Sequence, residues 1–118
     1  MLFRSLEENV LRGNAGSGVT MMSSELRLSG NSLLDNGRAG LSLLNRSQAT
    51  ALGNFFERNA AAGVQIAETS HAILRTNRFG SNPLFDIDVV CGSGGGGEVT
   101  IEGGNTFLGV AARQHVCP

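Results

Sequence analysis

A chain of 118 residues, 41% apolar and 16% charged, has room for one core and enough apolar matter to fold around it. Its net charge of −1 argues against a nucleic-acid partner, which calls for a clustered basic excess. All nine basic residues are arginines, removing lysine-based chemistry, and no apolar run reaches the roughly 18–20 residues of a membrane span.

Glycine supplies 17 residues. It costs about 1 kcal/mol relative to Ala in a helix interior but is at home in tight turns between short strands, so composition leans towards β. From Met1 to Asn14 acidic residues come early and no apolar signal-peptide core is present. The chain is therefore expected to be cytoplasmic, or secreted or at a cell surface if it is a piece of a longer precursor. Leu2 to Asn14 already reads as the middle of a repeat.

That repeat runs through the chain. Asn9, Asn31, Asn54, Asn77 and Asn105 recur at spacings of 22, 23, 23 and 28, and five residues after the first four come Asn14, Asn36, Asn59 and Asn82. Gly18, Gly40 and Gly63 keep the same phase, with Asp86 in the fourth slot. Apolar residues follow: Leu11, Leu33, Phe56, Phe79 and Phe107 in one series; Val19, Leu41, Val64 and Ile87 in a second; Met21, Leu43, Ile66 and Val89 two residues further on. Spacing of two is strand spacing, so Val64 and Ile66 point inwards and Gln65 outwards. A further strand precedes each asparagine, with Leu26 and Leu28, Ala49 and Ala51, Ala72 and Leu74, then Val99 and Ile101.

A coil of 22–23 residues with three short strands cannot bury its inward side chains alone; stacking coils about 4.8 Å apart does so, and aligns like residues into ladders. The reading is all-β: a right-handed parallel β-helix of about five short coils, one domain over residues 1–118. Asparagines sit at the bends, where they tolerate left-handed backbone and bond amides along the stack. The long last spacing is assigned to a glycine-rich loop insertion at 92–97 and to a bulge at Gly103–Gly104. A helix over Leu41–Ala62 is broken by Gly53 and its flanking asparagines, and the leucine-rich repeat pattern is absent. Cys91 and Cys117, about one coil apart, allow one disulfide or two buried thiols acting as small apolar residues, and the thiols are the simpler expectation.

Asn54-Phe-Phe-Glu-Arg-Asn59 followed by Gly63-Val-Gln-Ile66, and Glu98-Val-Thr-Ile-Glu-Gly-Gly-Asn-Thr-Phe107, resemble repeats of the pectate-lyase-like parallel β-helix superfamily. The resemblance spans nearly the whole chain and implies the fold; the motif encodes stacking, not activity. Many members are secreted lyases, hydrolases or epimerases of acidic polysaccharides, and others are surface, adhesion or phage-tail components. A complete enzyme of this kind is longer, with caps and long loops.

Uronate chemistry needs a base, an acid and neutralisation of the substrate carboxylate. Asp86 and Asp88, two apart at a strand start, are expected to face out beside Gln65 and Ser42, either as a solvated face or as a pair that holds Ca²⁺ or moves a proton. His71 is expected above Gln48 and Glu25 as a stacked polar residue, with a catalytic imidazole as the alternative. His115, within the last four residues, is expected to be poorly ordered. No zinc-ligand spacing occurs, and the glycine run at 92–97 has neither a lysine nor a following helix to cradle phosphate, so no cofactor is expected beyond an optional Ca²⁺. Two functions fit: a non-catalytic binding or scaffold module that associates through its ends with itself or with neighbouring coils, or a minimal polysaccharide lyase or C5-epimerase working near Asp88. An outer face of Ser, Thr, Gln, Asn and Arg suits weak glycan contact in either case.

Overall fold

Each coil lays down three strands and turns three corners. The computed structural model describes residues 4–91, 96–108 and, as backbone, 114–115. The first coil holds β1 (Arg4–Glu7), β2 (Val10–Arg12) and β3 (Val19–Met22), and the second β4 (Glu25–Ser29), β5 (Ser32–Leu34) and β6 (Ala39–Leu44). Then follow β7 (Gln48–Leu52), β8 (Phe55–Glu57) and β9 (Ala62–Ile66); β10 (His71–Arg75), β11 (Arg78–Gly80) and β12 (Phe85–Val89); and β13 (Glu98–Ile101), β14 (Thr106–Phe107) and β15 (Gln114–His115). Three sheets result, ordered β1-β4-β7-β10-β13, β2-β5-β8-β11-β14 and β3-β6-β9-β12-β15. Every pairing is parallel, and no helix occurs among the described residues.

The inward series meet in the register that the repeat implies. Leu11, Leu33, Phe56, Phe79 and Phe107 are successive partners. Their rings stack, with centroids 5.1 Å apart from Phe56 to Phe79 and again from Phe79 to Phe107. Val19, Leu41, Val64 and Ile87 form a second inner row, and Met21, Leu43, Ile66 and Val89 a third. Leu28, Leu33, Leu41, Leu43, Phe56, Val64, Ile66, Leu74, Phe79 and Ile87 are fully buried.

Both asparagine series are hydrogen-bonded ladders. Asn54 shows the pattern: its backbone N–H and Nδ2 donate to Asn77 Oδ1 at 2.8 and 3.0 Å, and Nδ2 also donates to Leu28 O at 3.0 Å. Asn54 Oδ1 in turn accepts from the backbone N–H and Nδ2 of Asn31. Asn36, Asn59 and Asn82 repeat this one corner on. A third, serine ladder was not anticipated: Ser24 N–H donates to Ser47 Oγ, and Ser47 N–H to Ser70 Oγ. No buried side-chain polar atom among the described residues lacks a partner, as buried polar groups require.

The glycine series has a different cause from the corner glycines. Gly30 and Gly53 stand at φ +67°, in a column with Glu8 and Thr76, which take the same left-handed conformation at φ 55° and 56°. Gly63 does not; a Cβ there would lie 2.7 Å from Asp86 O, 2.9 Å from a Phe79 ring carbon and 3.1 Å from Asn82 Nδ2. The slot leaves room for the asparagine ladder.

The last coil keeps the strand register, with Ala72 paired to Val99 and Leu74 to Ile101. Two expectations need amending. One extra residue is absorbed in the turn at Gly103–Gly104, with Gly104 at φ +86°, and not in a strand bulge. Cys91 is disulfide-bonded, not a free thiol, and the only other cysteine in the sequence, Cys117, lies outside the described residues. Of the 92–97 segment, residues 92–95 also lie outside them.

Candidate functional site

Alternation along β12 puts Ile87 and Val89 in the core and Asp88 on the outer face. Asp88 continues an outward row on this sheet of Thr20, Ser42 and Gln65, and its backbone pairs in register with that of His115. Gln65 Nε2 donates to Asp88 Oδ2 at 3.4 Å. Beside the row lies an open groove of about 490 Å³, lined by Thr20, Arg38, Ser42 and Gln65 and by the bend at 15–17. His115, expected to be poorly ordered, has its backbone in β15.

Asp86 departs from its expected place. It is only 3% exposed, and its Oδ1 accepts from Asn82 Nδ2 at 3.0 Å. In the coils below, that asparagine proton goes to the oxygen of the next asparagine; here no next asparagine exists in the series, and the carboxylate takes its place. Asp86 therefore ends the second ladder and does not join Asp88 on the surface. The signal was present in the sequence, since the slot is filled by glycine at 18, 40 and 63, a position that faces the ladder. Asp86 is thus engaged by Asn82 in the interior while Asp88 meets Gln65 on the outer face. Among the described residues no group of three or more His, Cys, Asp or Glu is placed to hold a metal.

His71 lies on a separate sheet, in an outward row with Glu25, Gln48 and Glu98. Its Nε2 sits 2.8 Å from Thr100 Oγ1, a hydrogen bond that runs diagonally to the next strand, two residues on from its register partner Glu98. The structure thus brings Asp88 and the His115 backbone together and leaves Asp86 and His71 elsewhere. The nearby corner carries two shallow polar hollows: one between Glu25, Arg46 and Gln48, the other between Asn45, Arg46 and Glu68.

Charge is concentrated at another corner. Arg58 donates to both oxygens of Asp35, Nε–Oδ1 at 2.7 Å and Nη2–Oδ2 at 3.0 Å, and also bonds Glu57, while Arg12 lies 3.9 Å from Asp35. The Arg58 hydrogen bonds hold the Asp35 carboxyl below its usual range, and the same contacts raise Arg58. Arg78 stacks over Phe55 at 4.9 Å from the ring centroid.

The end coils differ from the middle ones. Leu6, Leu11 and Val19 in the first coil, and Val99 and Phe107 in the last, occupy inner rows yet are only partly buried, and Ile101 is 42% exposed. A model of the right-handed β-helix region matches residues 4–109. No curated protein and no solved structure matches the chain.

Proposed function

Because the chain belongs to the right-handed β-helix family, whose repeats specify stacking and leave chemistry to side chains, we propose that it is a non-catalytic scaffold or binding module that associates through its end coils. The observation that carries this reading is the incomplete burial of Leu6, Leu11 and Val19 at one end and of Val99 and Phe107 at the other, set against the full burial of Leu33, Phe56 and Leu74 between them. The molecule measures 32 × 32 × 31 Å and has no long axis, so the two ends form a large share of its surface. Apolar rows flanked by strand edges invite further coils. Light scattering of the full chain across micromolar concentrations tests the idea. A mass that grows with concentration is expected, and a constant monomer mass would overturn it.

The outer row around Asp88 favours a second reading, a polysaccharide lyase or epimerase with Asp88 as the proton-moving group. Its support is the juxtaposition of Asp88 with Gln65 and, in register, with His115. Incubation with pectate and alginate, with and without Ca²⁺, tests the lyase form through absorbance of the unsaturated product; no absorbance in any arm counts against it.

A further inference from the structure

The asparagine ladder has a direction. In every rung the backbone N–H and Nδ2 of one coil donate to Oδ1 of the next coil, from Asn9 to Asn31, Asn31 to Asn54, Asn54 to Asn77 and Asn77 to Asn105. The two ends are therefore chemically different. At the first coil Asn9 is exposed, and its Oδ1 accepts no hydrogen bond among the described residues. At the last coil the Asn105 backbone N–H donates to no acceptor among the described residues, and the Nδ2 proton that an interior rung sends upward goes to Glu102 O at 2.8 Å. One end offers an acceptor and the other the two donors that an interior acceptor receives.

We infer that the association read above, on which this inference rests, is with a second copy of this chain and is head to tail: the first coil of one copy docks on the last coil of another. The ladder then continues from Asn105 to the incoming Asn9 with the bonding of an interior rung. The same register lays Leu11 of the incoming copy on Phe107, the end of the phenylalanine stack, and Leu6 on Ile101. Arg4, which shares the register of an inner row, comes to lie on Val99, next to Glu98. Pairing two first coils would set acceptor against acceptor, and pairing two last coils donor against donor. The second ladder adds nothing at the last coil, because Asp86 closes it. A head-to-tail contact is not self-complementary, so it propagates into chains or rings and does not stop at two copies.

Cysteines at Val10 and Thr106 test the direction. Both are exposed, both lie on one outward row of the same sheet, and head-to-tail docking makes them neighbours across the joint. Adjacent parallel strands stand about 4.8 Å apart, within disulfide reach. Under mild oxidation a mixture of Val10→Cys and Thr106→Cys chains is expected to give a single band at twice the chain mass. The double variant is expected to give a ladder of multiples, and each single variant alone only monomer. Homodimers of either single variant would overturn the direction and leave end association standing. So would an uncrosslinked mixture whose wild-type parent associates. A wild type that stays monomeric in light scattering overturns the association itself.

Discussion

The buried asparagine amides do the work that a core side chain does elsewhere, with hydrogen bonds in place of volume. Asn54 makes four side-chain hydrogen bonds while 2% exposed. Replacing it by Ala strands the Leu28 carbonyl and the Asn31 N–H in the interior, which costs on the order of 3 kcal/mol. Asn9→Ala, at the exposed end of the same ladder, is expected to cost less than about 1 kcal/mol. Urea unfolding of the two variants measures the difference, and equal losses would contradict the ladder account. Asp86 offers a second comparison. Asp86→Asn keeps an oxygen for Asn82 Nδ2 and is expected to unfold close to wild type, whereas Asp86→Ala loses about 1–2 kcal/mol. Strand alternation counted back from Ile87 puts Asp86 outside, and that is why it reads as a surface carboxylate. Only its place in the glycine column shows that the slot faces the ladder, a signal carried by residues 23 positions away and not by its neighbours.

Strands and corners were legible in unequal degree. The inner rows announced themselves because Leu, Val, Ile and Phe recur at strand spacing in a fixed phase, and pairings such as Leu33 with Phe56 follow from that phase. The serine ladder did not. Ser24, Ser47 and Ser70 keep a spacing of 23, yet serine is also common in turns, so its recurrence carries no mark of burial. Corner charges were equally silent, since Asp35 and Arg58 meet only once β5 lies on β8. That pair gives the corner a pH response. A carboxyl whose folded pKa is lowered adds stability above its unfolded value, near 3.8, and loses it as pH falls through the folded value. The melting temperature of wild type is therefore expected to exceed that of Asp35→Asn by a constant margin from neutral pH down to about 5. The margin should shrink below about pH 4 and also in high salt. A margin that persists in acid would remove the ion pair from the account.

Seen whole, the molecule tolerates added length at a corner. Between β12 and β13 the chain runs through a glycine-rich stretch absent from the earlier coils, and β13 nevertheless lands on β10 residue for residue. The ladder resumes at Asn105 as though nothing had intervened. The inner rows and asparagine rungs that join the coils do not pass through that corner, and the serine ladder that does climb it is made by Ser24, Ser47 and Ser70 of the earlier coils. A foreign peptide of ten or so residues spliced between Gly92 and Gly95 is therefore expected to leave the far-UV spectrum and the unfolding midpoint unchanged; loss of cooperative unfolding would show that the corner has a structural duty of its own. Such indifference separates two kinds of inheritance. The period must be kept from coil to coil, while the corner segments are free to drift, so a lineage built on this plan can replace what it presents to its surroundings and keep what holds it upright.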